Sequence, residues 1–131
     1  MPSGIYRPPT FARVVQLRHR SPDDATSCTL ATEVSVARSR LAQARGLMFR
    51  RSIPADYALV FPFDATDVRT LHMLFVPFAI DALWLVDDRV TAVQRLAPFV
   101  GIGRGEADTV VELPAGGAAD VAVGDEVQLS R

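Results

Sequence analysis

Residues 79–86 have the sequence Ala-Ile-Asp-Ala-Leu-Trp-Leu-Val, which alternates as an extended strand does. Successive side chains of a strand point to opposite faces, so Ile80 and Trp84 share one face and Asp81 lies on the other. Asp81 is therefore an acid inside an otherwise apolar strand. Turn residues follow, and residues 90–96 return as a second strand, so the pattern predicts a β-hairpin.

Similar alternation outside this hairpin predicts further strands. Residues 15–19, a turn at 21–24 and a return segment at 28–36 predict a first hairpin, with Cys28 on its inward face. The apolar run at 57–61 has strand length and is expected to be buried on both faces. Further strands are predicted at 69–76, 109–113 and 127–129. Loops are predicted at 64–67 and at 101–105.

Helical signals are few. Residues 40–45 predict a short helix, because Ser39 can cap its N-terminus and Gly46 suits the left-handed position after its end. A one-turn helix or turn is predicted at 115–121. Short strands with only small helices predict a mainly β fold, either a small antiparallel β-sandwich or a partly open barrel with one or two short helices.

Length and composition favour a single domain. The chain has 131 residues, and we expect an irregular N-terminal arm at 1–10 followed by one β-rich domain at 11–131. A single cysteine rules out an internal disulfide, and two histidines give no cluster for a structural zinc ion. No metal and no cofactor are expected.

Two observations bear on localisation. Residues 1–9 contain no apolar run after the first charge, so they do not resemble a secretory signal, and a cytoplasmic protein is expected. The longest apolar stretch, 71–86, contains His72, Pro77 and Asp81 and is shorter than the roughly 20 residues of a membrane helix. We therefore expect no membrane partner.

Charge is distributed unevenly along the chain. Residues 1–57 hold nine Arg against four acids, a balance of +5, and residues 58–131 hold five Arg against eleven acids, a balance of −6. This asymmetry indicates either a basic face for a polyanion or two halves whose charges mix in one sheet. No continuous basic run is present, so nucleic acid is not the favoured partner.

Five short motifs occur in order along the chain. They are Arg-Gly-Leu-Met-Phe-Arg at 45–50, Leu-Val-Phe-Pro-Phe at 59–63, a Met followed by Pro-Phe-Ala-Ile-Asp at 77–81, Val-Glu-Leu-Pro-Ala-Gly at 111–116 and Val-Gly-Asp at 123–125. Their order and spacing resemble the signatures of the domain-of-unknown-function 192 family. The resemblance implies a small, mainly β domain and implies no activity, because the family has no established one.

One segment departs from that family's pattern. Where the family usually has an aromatic residue, a Met and a polar tripeptide, this chain has His72, Met73 and the apolar residues 74–76. If the polar groups line a pocket in other members, the resemblance implies that the pocket here is drier or differently used.

The candidate binding residues are Arg45, His72, Met73, Asp81 and Glu112. A buried Asp81 requires a partner, and the family motif suggests Arg45, either as a structural pair or beside a perturbed carboxylate in a cleft. His72 is a candidate general base with Asp81 or Glu112, yet no catalytic residue is assigned, because proximity cannot be inferred from sequence.

Three functions follow as hypotheses. The first is a non-catalytic domain that binds a small molecule or a protein partner, with Arg45, His72, Asp81 and the glycine-rich loop near its cleft. The second is a small enzyme that uses Asp81 or Glu112 with His72. The third is polyanion binding through the Arg-rich first half, which would weaken steeply with salt.

Overall fold

The computed structural model describes residues 15–23 and 26–130. The N-terminal arm expected at 1–10 lies outside the described residues. In chain order the elements are β1 Gln16–Arg20, β2 Cys28–Ala31, β3 Glu33–Val36, α1 Arg40–Arg45, β4 Tyr57–His72, β5 Ile80–Val86, β6 Arg89–Leu96, β7 Ile102–Pro114 and β8 Glu126–Ser130.

The eight strands form one sheet in the order β2-β1-β8-β6-β5-β7-β4-β3. Thr32 alone separates β2 from β3, the two outermost strands, so the sheet curls back towards itself while remaining open. The predicted mainly β fold is confirmed: the eight strands form one open sheet that does not close into a barrel. The expectation that all pairs are antiparallel is wrong for β3 and β4, which run parallel.

Strand β5 lies between β6 and β7 and separates two apolar cores. Ile80 and Trp84 pack in one core, whereas Leu83 and Leu85 pack in the other. The face assignment predicted from alternation is therefore confirmed. The hairpin turn is also confirmed, because Asp87 and Asp88 both have positive φ, as tight two-residue turns require.

The return segment predicted at 28–36 is interrupted at Thr32. The backbone N–H groups of Thr32 and Glu33 both donate to the carbonyl oxygen of Asp56, at 3.0 Å each, where the chain passes from β2 to β3. Ala31 faces the core, so Cys28 lies on the opposite side of β2 and is exposed. The prediction of an inward-facing Cys28 is therefore wrong.

Strand β4 also differs from its predicted form. The loop expected at 64–67 is part of one continuous strand, with a register irregularity against β7 between Pro62 and Asp67. The strand predicted to reach residue 76 ends at His72, because residues 74–75 form a turn and Phe75 has a φ of 61°.

The loop predicted at 101–105 is mostly strand. Gly103 and Gly105 belong to β7 and pair with Leu71 and Arg69 of β4. A Cβ atom at Gly105 would lie 2.8 Å from Cγ of Trp84. The glycines therefore permit the close approach of the indole ring, a role that glycine has in strand interiors.

We expect Gly105→Ala to lower the free energy of unfolding by about 1–3 kcal/mol, because the added methyl overpacks against a buried ring. Urea denaturation measures the change. The cost should shrink when Trp84 is replaced by Leu in a double-mutant cycle. An equal cost in both backgrounds would show that the steric explanation is wrong.

Candidate functional site

A cleft of about 410 Å³ lies between α1, the turn after it, β4 and β7, on the Trp84 side of the sheet. Apolar side chains form much of its lining, including Leu47, Met48, Phe61, Met73, Val76 and Ile80. Its polar lining residues are Gln43, Arg45, Arg69, Thr70, His72 and Glu112. Four of the five predicted binding residues thus line one cleft, and Asp81 does not.

The helix α1 forms one wall of the cleft. The predicted N-cap is confirmed, since Ser39 Oγ accepts a hydrogen bond from Ala42 N at 3.0 Å. Gly46 ends the helix with a positive φ of 49°, but its ψ of −125° is not that of the predicted left-handed helical conformation. Gln43 Nε2 donates to the carbonyl oxygens of Ala37 and Pro62, at 3.0 and 2.8 Å, which ties α1 to β4. Arg45, at the end of α1, is therefore held at the cleft with its side chain exposed.

Glu112 has an unusual environment in this cleft. It pairs with Leu59 of β4 and Ala82 of β5, and only 6% of it is exposed. Its Oε1 atom is buried and has no hydrogen-bond partner among the described residues. Burial raises the pKa of Glu112 to about 8, against a smaller lowering by the charge of Arg50. At neutral pH its carboxyl group is therefore mainly uncharged and can donate a hydrogen bond.

His72 and Met73 lie at the end of β4. His72 is exposed, and its Nδ1 accepts a hydrogen bond from Leu74 N at 3.2 Å, so the neutral ring carries its proton on Nε2. Met73 is 1% exposed, and its backbone N–H donates to Gly101 O at 3.0 Å. His72 and Glu112 line the same cleft, but no hydrogen bond joins these two described side chains.

Asp81 is placed elsewhere. Its Oδ1 accepts a hydrogen bond from Arg95 Nε, and its Oδ2 accepts from Gly116 N and Ala118 N at 3.0 Å each. The acid is therefore buried, as predicted, but it pairs with Arg95 rather than Arg45. It fixes the turn at 115–120 to the sheet, and the pairing of Asp81 with His72 in one cleft is not found.

Arg69 is a cleft residue that sequence reasoning missed. Its guanidinium lies 4.1 Å from the centre of the Phe63 ring, and its Nη2 donates to Ala65 O at 2.6 Å. Trp84 Nε1 donates in turn to the carbonyl oxygen of Arg69 at 2.8 Å. The sequence predicted a strand here, but nothing in its pattern indicated which arginine would reach the cleft.

A second buried polar pair lies outside the cleft. His19 Nε2 and Asp125 Oδ2 are 2.8 Å apart, and both side chains are about nine-tenths buried. The hydrogen bond to His19, together with one from Ala122 N at 2.9 Å, lowers the pKa of Asp125. Neither His19 nor Asp125 lines the cleft.

We expect Asp125→Ala to lower the free energy of unfolding by about 2–3 kcal/mol at neutral pH, because His19 and Ala122 N lose their buried partner. A lowered pKa gives stability that is present above the unfolded pKa of about 3.9 and is lost as the pH falls through the folded pKa. The cost should therefore diminish in acid. Urea denaturation at several pH values tests this, and a cost independent of pH would contradict it.

One arginine of the first half is paired with an acid of the second half. Arg20 pairs with Glu126 of β8 at 2.7 Å, and Arg18 donates to Ser27 and Thr29. Charges of the two halves therefore mix along β1 and β8.

The described residues contain no group of three or more His, Cys, Asp or Glu side chains that could hold a metal ion. In the same part of the chain, no helix has the length and apolar character needed to cross a membrane.

These features define a small, mainly β protein with one open, curled sheet and a ligand-sized cleft. The chain belongs to the DUF192 family, described as uncharacterised, whose model matches residues 22–129. The resemblance drawn from the five motifs is therefore confirmed. No curated protein matches the chain.

Two solved structures are similar to this fold. One is from Sinorhizobium meliloti 1021 and is described as a candidate transcription regulator. It has a TM-score of 0.75 and 22% identity over 88% of this chain and 93% of that one. The other, a protein of unknown function from Novosphingobium aromaticivorans, has a TM-score of 0.75 and 23% identity over 88% and 84%. At these identities the similarity shows the fold alone.

Proposed function

We propose that this protein is a non-catalytic binding domain whose small ligand occupies the Glu112 cleft. The observation that carries the proposal is the buried Oε1 atom of Glu112, which lacks a hydrogen-bond partner among the described residues. A buried polar atom without a partner is costly, and a ligand in the cleft can supply the missing hydrogen bond. A concave, mainly apolar site with a few polar groups is the usual form of a ligand site.

The lining indicates the chemistry of the ligand. The uncharged carboxyl of Glu112 can donate to an acceptor atom, whereas Leu47, Met73 and Val76 provide an apolar wall. Arg45 stands at the cleft as an exposed cation. We therefore infer a small ligand with an apolar body that carries an acceptor or anionic group, such as a carboxylate, in preference to a cationic amine.

Methionine methyl groups provide a direct probe of binding. The chain has three methionines, and two of them, Met48 and Met73, line the cleft. We expect small aliphatic and aromatic carboxylic acids to shift the ¹³C-methyl NMR signals of Met48 and Met73, while amines with the same carbon skeleton shift them less. Absence of any shift across such a set, or a preference for amines, would contradict the proposal.

Two substitutions at position 112 separate hydrogen bonding from packing. Glu112→Gln keeps a donor of similar shape. Its affinity for an acid that shifts the methyl signals should therefore stay within a few-fold of the wild-type affinity. Glu112→Leu removes the donor and should weaken binding by about tenfold or more, the effect of losing one hydrogen bond of about 1.5 kcal/mol. Glu126→Gln, outside the cleft, is the matched control. Equal affinities of the Gln and Leu variants would refute a hydrogen-bonding role.

The structure removes one of the two acid–histidine pairs in the hypothesis of a small enzyme, because Asp81 and His72 do not share the cleft. The pairing of Glu112 with His72 stays a prediction. It requires that turnover is lost in both Glu112→Gln and His72→Gln while both variants stay folded. Polyanion binding, a protein partner and a cytoplasmic location also stay predictions, and cell fractionation checks the last of these.

A further inference from the structure

Six apolar side chains are exposed beside the cleft and form what we call the phenylalanine patch: Phe49, Leu74, Phe75, Phe99, Val100 and Ile102. Their exposed fractions range from 49% for Phe75 to 78% for Val100. Met48 and Met73, which line the cleft, are chain neighbours of Phe49 and Leu74. The patch therefore adjoins the cleft.

Backbone hydrogen bonds join the segments of the patch. Phe49 N donates to Phe75 O at 2.8 Å, and the two rings stack with centroids 4.9 Å apart. Phe99 N donates to Val76 O at 3.0 Å, which brings the turn at 97–101 beside the turn at 74–75. Ile102 pairs with His72 at the adjoining ends of β7 and β4. These contacts bring together the segments that carry the six side chains.

The three phenylalanines have an unfavourable backbone conformation. Phe49, Phe75 and Phe99 have φ values of 68°, 61° and 64°. Side chains other than those of Gly, Asn and Asp rarely occupy this region, because the Cβ atom crowds the backbone. Strained residues of this kind are concentrated at functional sites. Core packing does not account for the strain here, because all three side chains are exposed.

The surroundings of the patch are positively charged. Arg45, Arg50, Arg51 and Arg104 are exposed, and none of them forms an ion pair with another described residue. The sequence has no Asp or Glu in 38–55, 68–80 or 89–105, the segments that carry the patch. A partner that covers this surface must be apolar at its centre and anionic around it.

We propose that the phenylalanine patch docks on an anionic lipid surface. Aromatic and branched side chains can enter the region between headgroups and acyl chains, while the arginines attract acidic headgroups. An acidic protein surface is a less suitable partner. It offers the negative charge but has no fluid apolar layer into which exposed side chains such as Phe99 and Val100 can insert. This proposal differs from the expectation of no membrane partner. That expectation was based on the lack of a membrane-spanning segment, and docking on a lipid surface does not require such a segment.

Vesicle flotation tests the proposal with the full chain. We expect binding to phosphatidylcholine vesicles that contain phosphatidylserine, at least tenfold weaker binding to phosphatidylcholine alone, and loss of binding at high salt. The double variant Arg50→Gln, Arg51→Gln should bind the acidic vesicles at least tenfold more weakly, since each arginine contributes about fivefold. No binding to acidic vesicles, or equal binding to both kinds, would overturn the proposal.

Phe99→Gly separates docking from folding. Glycine accepts positive φ without strain, so this variant should melt at or above the temperature of wild type and yet bind acidic vesicles several-fold more weakly. Val123→Ser, at an exposed position in another turn, should bind as wild type does. Unchanged vesicle binding by Phe99→Gly overturns the proposal. The proposal is also overturned if sedimentation velocity shows that the wild type is a dimer and that Phe99→Gly dissociates it. In that case a second copy of this chain, and not a lipid surface, covers the phenylalanine patch.

Discussion

Replacing Asp81 with alanine is expected to lower the free energy of unfolding by about 3–5 kcal/mol, which is a large share of the stability of a domain this size. The carboxylate is 5% exposed and accepts from Arg95 and from the backbone N–H groups of Gly116 and Ala118. Removing it leaves two backbone donors without their partner and detaches the turn at 115–120 from β5. Urea denaturation at neutral pH measures the loss.

Arg95→Ala is the matched comparison for that substitution. The Arg95 side chain is 58% exposed, so its loss leaves the two backbone donors paired with Asp81 and should cost much less stability than the loss of Asp81. The difference between the variants reports what Asp81 contributes by holding the turn. If Asp81→Ala costs no more than Arg95→Ala, the turn does not depend on the acid.

Replacing Glu112 with glutamine is expected to remove most of the loss of stability that wild type shows as the pH rises from about 5 to about 8. Burial raises the pKa of Glu112 from 4.5 to about 8. For a group whose folded pKa is raised, the stability is fully present below the unfolded pKa and is lost as the pH rises towards the folded pKa. The wild-type free energy of unfolding should therefore fall by roughly 1 kcal/mol for each pH unit in this window.

Urea denaturation of both proteins across this window tests the prediction. The Gln side chain does not ionise, so the difference in stability between Glu112→Gln and wild type should grow steadily with pH in favour of the variant. Glu126→Gln serves as a control for changing a carboxylate outside the cleft. A constant difference between Glu112→Gln and wild type would show that Glu112 is ionised throughout the window.

The sequence predicted the features that depend on local patterns. Alternation in residues 79–86 gave the two faces of β5, and Ser39 with Gly46 gave both ends of α1. The turn after β5 followed from its acidic residues. These features depend on neighbouring residues and on backbone preferences, which are visible in a single sequence.

Features that depend on strand register were missed. A regular two-residue turn at 87–88 would place Asp81 opposite Gln94, but a register irregularity at Trp84 and Leu85 places it opposite Arg95. This shift of one residue in the register therefore changes the residue opposite Asp81 from Gln94 to Arg95. Gly103 and Gly105 were assigned to a loop because the ring that packs on them belongs to β5, which is distant in sequence.

Four of the five candidate binding residues, Arg45, His72, Met73 and Glu112, line one cleft. That they bind a ligand stays a prediction. The sequence could not show that Glu112 is the buried member, because its neighbours in space, Leu59 and Ala82, come from two other strands. Arg69 was missed for the same reason.

The proposed ligand site requires an uncharged Glu112 at neutral pH, and ¹³C NMR titration of the glutamate side-chain carboxyls measures this directly. Assignment with Glu112→Gln identifies the signal among the glutamates of the chain. We predict that the Glu112 carboxyl titrates with a midpoint near 8. A Glu112 midpoint of about 4.3, the value of an unperturbed glutamate, would contradict the proposed site.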